Sequence, residues 1–126
     1  MTELNKLALK ILENGKGILA ADESTGTMTK RLQSVKIDST AENRILFRET
    51  LFSSKEMKKC IGGVILYDET IKQNASNGKN ISQFISDIGS IAGIKVDTGA
   101  KQLAGSPEEK ITEGLDGLRE RLKEYS

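Results

Sequence analysis

Histidine is absent from this 126-residue sequence, and cysteine occurs once, at Cys60. Together these absences remove disulfide frameworks, the common zinc sites and every histidine-based triad or proton shuttle. Whatever chemistry the chain carries runs on Lys, Asp, Glu and hydroxyl groups. Tryptophan is absent too, and the aromatics amount to two Tyr and three Phe, too few for a stacking platform against nucleic-acid bases. Excess charge is missing: nineteen Lys and Arg against eighteen Asp and Glu leave +1, so no bulk field favours nucleic acid or an anionic membrane. No apolar run approaches the ~20 residues that a membrane span requires, and the N-terminus lacks the unbroken apolar stretch of a signal peptide. The expectation is a soluble chain in the reducing cytoplasm, with neither a nucleic-acid nor a membrane partner.

What is present suffices for a core: 37% apolar residues supplemented by twelve glycines, in one domain's length of chain. Leu4, Leu7, Ala8, Ile11 and Leu12 form one helical stripe, which the pair Asn14-Gly15 would stop. Gly17 to Asp22 is too short and too evenly apolar for a helix, and predicts a strand buried on both faces. Met28, Leu32 and Val35 mark a short helix after Thr25. Ser39 with Glu42 makes a capping box that opens another helix through about Leu51. Ser82 caps a helix bearing Phe84, Ile85 and Ile88. Thr98 to Ile111, with the only proline at Pro107, predicts a long loop, and Thr112 caps a last helix with Leu115, Leu118 and Leu122 on one face.

Three segments share one shape. Gly17-Ile-Leu-Ala-Ala-Asp22, Gly63-Val-Ile-Leu-Tyr-Asp68 and Gly93-Ile-Lys-Val-Asp97 each run from glycine to aspartate, with a hydroxyl residue within two further positions. Strands alternating with helices predict a parallel sheet with right-handed crossovers, and such sheets place ligands at the carboxyl ends of their strands. All three aspartates stand at that edge. A three-stranded parallel sheet leaves two unpaired edges, so the expectation is that residues 1–126 are a piece of something larger, in which a fourth strand would follow the last helix.

Strand alternation puts Ile18, Ala20 and Asp22 on one face, and Lys95 with Asp97 on one face of the third strand. In a closed barrel both faces would point inward, around one pocket. A lysine within an apolar strand costs solvation unless it meets an anion. Two uses stand open for each residue. Asp22 either caps a turn or faces a ligand; Asp68 reads as a cap; Glu23 complements a helix dipole. Lys95 either meets a ligand or snorkels or pairs with Asp97. Ser24, Thr25 and Thr27 around Gly26 open a helix, where hydroxyls cap backbone N–H groups or hold a phosphate. Arg31, one turn into that helix, is within reach of a ligand.

The ordered segments KGILAADESTGT, KRLQS, AENR, CIGGVILYDET, GIKVDTGAKQLAG and TEGLDGLRERL resemble the amino-terminal part of class I fructose-bisphosphate aldolase over nearly the whole chain. The resemblance implies an α/β fold, a partial (β/α)8 TIM barrel consisting of the leading helix and the first three parallel strands with their helices; complete barrels run to about 250 residues. It implies a carbon-carbon lyase of glycolysis and gluconeogenesis, metal-free and without cofactor. Fructose 1,6-bisphosphate is cleaved reversibly to dihydroxyacetone phosphate and glyceraldehyde 3-phosphate through a lysine Schiff base. The partners are those sugar phosphates and, for the full-length protein, further copies of itself.

By the same resemblance Asp22 hydrogen-bonds around the substrate and helps organise the Schiff-base centre. Ser24 and Thr27 contact one phosphate, Arg31 lies near the other, and Lys95 sits beside the Schiff-base centre and at a phosphate site. Lys95 is not the imine former. That lysine and the proton-moving glutamates are expected beyond Ser126, so the chain alone is expected to be inactive. The alternatives are a sugar-phosphate-binding fragment without turnover and a structural interaction partner.

Overall fold

The three glycine-to-aspartate segments pair as one parallel sheet, as the alternation of strands and helices predicts. A computed structural model describes residues 1–126 in two units, Met1–Ile94 and Lys95–Ser126. In the first unit β1 (Gly17–Ala21), β2 (Ile61–Leu66) and β3 (Ile91–Ile94) lie in the order β1-β2-β3. Leu19 is opposite Val64 and Ala21 opposite Leu66, which in turn lie opposite Ala92 and Ile94. Because side chains alternate, these six share a face.

The rest of the unit is helical: α1 (Glu3–Ile11), α2 (Thr25–Ser34), α3 (Ala41–Phe52), α4 (Met57–Cys60), α5 (Asp68–Ile71) and α6 (Ile81–Asp87). Phe52, Met57, Ala75, Ile81 and Ile85 pack with Ala21, Val64 and Leu66 as one buried cluster. Each large apolar side chain fully removed from water contributes about 1.5–3 kcal/mol. The opposite face is closed only at its amino end, where Gly63 is buried against Ile11. Ile18 is 53% exposed and Ala20 is exposed, so β1 is buried on one face rather than on the two expected. It is an edge strand.

The stripe on α1 is likewise more open than expected, with Leu4, Leu7 and Leu12 exposed. Only the end of the helix meets the sheet. A Cβ at Gly62 would stand 1.8 Å from the Ile11 carbonyl oxygen, so the close approach requires glycine there. Helix α1 thus abuts the amino end of β2, away from the edge where the strands end in acids. Asn14 and Gly15, both at positive φ, turn the chain into β1.

Several caps fall beside the expected residues. Thr40, not Ser39, caps α3 and accepts from the Asn43 N–H; the Ser39 hydroxyl instead meets Thr29 at 2.7 Å. Asn80, not Ser82, caps α6 and accepts from the Ser82 N–H. Asp68 is the first residue of α5 after Tyr67 at the cap, and pairs with Lys72 at 3.0 Å. In the first two cases neighbouring polar residues offer equivalent oxygens, and the turn geometry selects among them; Tyr67 makes no side-chain cap bond.

The second unit departs most. Where a loop is expected, β4 (Gly99–Leu103) and β5 (Ser106–Glu113) form an antiparallel hairpin turned at Ala104 and Gly105, the latter at φ 79°. Thr112 is therefore in a strand and caps nothing. The last helix, α7 (Leu118–Tyr125), starts after Gly117 at φ 64°, which leaves Leu115 outside it and exposed. At Gly114 (φ 157°) an added Cβ would lie 2.8 Å from the Asp97 Cα, so glycine permits that close backbone approach.

Candidate functional site

Strand β1 delivers Asp22 to the carboxyl edge of the sheet, and one residue later the chain turns into α2. Asp22, Glu23 and Ser24 are all half-buried there. Ser24 is the N-cap of α2: its hydroxyl accepts from the Thr27 N–H at 3.3 Å and lies 3.2 Å from the Thr27 hydroxyl. Two hydroxyls thus stand together at the positive end of a ten-residue helix, the electrostatic setting in which an anion is stabilised. Helix α2 is held by Met28 and Leu32, which are buried.

Arg31 lies in the last turn of α2, further along than expected, and its guanidinium hydrogen-bonds the Glu23 carboxylate. Glu23 is therefore more than a complement to a helix dipole. Its Oε2 is also 3.6 Å from Nη2 of Arg48, so one carboxylate lies between an exposed arginine and a buried one. Arg48 on α3 donates from Nε to the Ala21 carbonyl at 3.1 Å and from Nη2 to the Glu23 carbonyl at 2.5 Å. Burial pushes this guanidinium below its ordinary pKa, with the charges of Glu23 and Glu69 opposing.

One turn earlier on α3, Arg44 grips Glu69 through two bonds, Nε to Oε2 at 2.8 Å and Nη2 to Oε1 at 2.5 Å. The hydrogen bonds from Arg44, more than its charge, hold the Glu69 carboxyl below the usual range. This fork ties α3 to the segment following β2. Arg44 and Arg48 escape attention in the sequence, although a signal exists. Their four-residue spacing puts them on the side of α3 that carries Ile45 and Phe52, an unusual place for charge unless it is paired.

The structure groups the expected site residues unequally. Asp22, Ser24, Thr27 and Arg31 belong to the first unit, where Ser24 meets Thr27 and Arg31 meets Glu23. Lys95 belongs to the second, one residue past the end of β3, and pairs with Asp97. Of the uses open to Lys95, pairing with Asp97 is the contact present. Asp97 also accepts from the Gly99 N–H at 3.0 Å. The Lys95 bond first, and that backbone bond with it, hold the Asp97 carboxyl below its usual range. No helix is long and apolar enough to cross a membrane.

A protein-family model described as "Glycolytic: Fructose-bisphosphate aldolase class-I" matches residues 3–126. Fructose-bisphosphate aldolase C-B of Danio rerio is 53% identical over 124 residues, which are 98% of this chain and 34% of that relative. Fructose-bisphosphate aldolase C of Homo sapiens is 52% identical with the same coverage. The chain therefore spans about a third of the length of the curated relatives it matches. Among solved structures, fructose-bisphosphate aldolase from Plasmodium falciparum, in complex with TRAP and a small molecule inhibitor, superposes with a TM-score of 0.91. That comparison has 46% identity and covers 98% of this chain and 35% of the other.

Proposed function

The chain belongs to the class I fructose-bisphosphate aldolase family, its three parallel strands and their helices being part of a (β/α)8 barrel, and we propose that it supplies substrate-gripping residues of that enzyme. In such barrels the reacting groups stand at the carboxyl ends of the strands. Asp22 takes hydrogen bonds from the substrate and orients the carbon skeleton at the imine. Ser24 and Thr27 hold one phosphate at the start of α2. Arg31 meets the other phosphate, exchanging the Glu23 carboxylate for it. Lys95 supplies a further cation for a phosphate and for the imine's surroundings.

The reaction is reversible cleavage of fructose 1,6-bisphosphate to dihydroxyacetone phosphate and glyceraldehyde 3-phosphate. A protonated imine at the substrate's ketone carbon withdraws the electrons of the breaking C3–C4 bond. None of these 126 residues is assigned the imine-forming role, and the chain by itself is proposed to be without turnover. The complete protein is proposed to act in the cytoplasm as a homo-oligomer.

One observation carries this proposal: an acid, two adjoining hydroxyls and a helix start lie together within six residues at the carboxyl edge of a parallel sheet, Asp22 to Thr27. Assay of the complete enzyme for fructose 1,6-bisphosphate cleavage, followed by borohydride trapping of the imine, tests it. Cleavage, with a reduced adduct on a lysine outside this segment, is expected. A complete enzyme that neither cleaves nor traps this sugar contradicts it.

A further inference from the structure

Asp22 sits between two carbonyls that share a single partner. Arg48 is 1% exposed and reaches from α3 to the Ala21 oxygen with Nε and the Glu23 oxygen with Nη2. These two N–H groups lie on the same edge of a rigid plane, so the guanidinium sets the spacing between the carbonyls before and after Asp22. Its third nitrogen, Nη1, has no hydrogen-bond partner. The hydrogen bonds of Arg48 are therefore directed at the backbone of this junction. Buried carbonyls left unpaired are costly, which makes the pinned conformation the favoured one.

The arginine is itself held firmly. Phe52, one turn after it on α3, is fully buried in the core, and the Arg44–Glu69 fork fixes the turn before it. Glu23 Oε2 at 3.6 Å offsets its charge. We propose that Arg48 is the positioning residue for Asp22, clamping both flanking carbonyls so that the carboxylate at the end of β1 keeps a fixed direction and depth. The proposal rests on the assignment of Asp22 to the substrate. A lysine in place of Arg48 keeps the charge but cannot span both oxygens with a planar fork, so the carboxylate drifts. Displacements of ~1 Å at reacting groups cost up to about a hundredfold in rate.

The test is a double-mutant cycle in the complete enzyme: Arg48→Lys and Arg48→Gln, each alone and combined with Asp22→Ala, with kcat, KM and Tm measured for all. Two variants are used so that folded protein from either suffices. Ile85→Ala, which opens the core on α6 and alters no residue of α3 or the junction, serves as the stability control, with a lowered Tm and wild-type kcat expected. If Arg48 acts through Asp22, kcat falls about 10- to 100-fold while KM stays within about threefold. In the Asp22→Ala background the same change then costs less than about twofold, because there is no carboxylate left to misplace. Wild-type kcat in folded Arg48→Lys or Arg48→Gln overturns the proposal, as does a full additive loss in the Asp22→Ala background. A wild-type enzyme without cleavage removes the assignment of Asp22 itself, and this proposal with it.

Discussion

The two faces of the parallel sheet have opposite fates. Toward the helices, Val64 and Leu66 are buried beneath Phe52, Ile81 and Ile85. On the other side Ile18 and Ala20 are exposed, and the strand that carries them runs on into Asp22. Consecutive residues at one strand's end therefore serve different purposes. Ala21 belongs to the core and Asp22 to the proposed substrate site, because strand side chains alternate. The lesson is that stability and chemistry can be perturbed separately within a single strand end, provided that the backbone between them is held.

That separation can be broken in graded ways. The largest effect belongs to Asp22→Ala: turnover of the complete enzyme should fall by about 10²- to 10⁴-fold, the range for removing a group that acts at the reacting centre. Thermal unfolding should move little. A large drop in Tm with rate preserved per folded molecule would place Asp22 with the structural caps instead. Leu66→Ala is the converse, costing about 2–5 kcal/mol of stability through the cavity it leaves in the core, with kcat per folded molecule retained. Denaturant titration and active-site counting check both halves.

Ser24→Ala sharpens the comparison at the boundary, since this hydroxyl is a helix cap and a proposed phosphate contact at once. Loss of the cap costs about 1 kcal/mol, and affinity for a sugar bisphosphate should weaken beyond what that loss explains. Calorimetry with substrate and with inorganic phosphate separates the two contributions. The smallest effect concerns the Lys95–Asp97 pair. The folded Asp97 carboxyl is held below its ordinary value of about 3.9, so its contribution is present above that pH and is lost as pH falls through the folded value. Lys95→Met should return the carboxyl toward the ordinary range, read by NMR titration. An unmoved titration would assign the shift to the Gly99 N–H bond alone.

Much of the sheet is legible in the sequence because glycine, a short apolar run and aspartate recur in the same order, and only a parallel arrangement accommodates three such segments separated by helices. Asp22, Ser24 and Thr27 are legible as neighbours for the same reason. The hairpin is not: Lys101, Gln102, Glu108, Glu109 and Lys110 give it no apolar face, so strands stabilised by their own ladder read as a polar loop around Pro107. Cap residues are off by one or two where Ser39 and Thr40, or Asn80 and Ser82, offer the same chemistry at adjoining positions. Arg48 is the instructive omission. A charge on the buried side of α3 reads from spacing as an interruption, and only the fold reveals that two backbone oxygens near Asp22 take it up. Arg31 shows the reverse, a cation read as available for a ligand that the folded chain pairs with Glu23.

The most direct test of this division of labour is a crystal structure of the complete enzyme with fructose 1,6-bisphosphate bound. The predicted result places substrate oxygens within ~3 Å, hydrogen-bond distance, of the Asp22 carboxylate, on the sheet face that carries Ile18 and Ala20, with a phosphate against Ser24 and Thr27. A substrate seated elsewhere, with Asp22 bonded only to its own backbone, would contradict it.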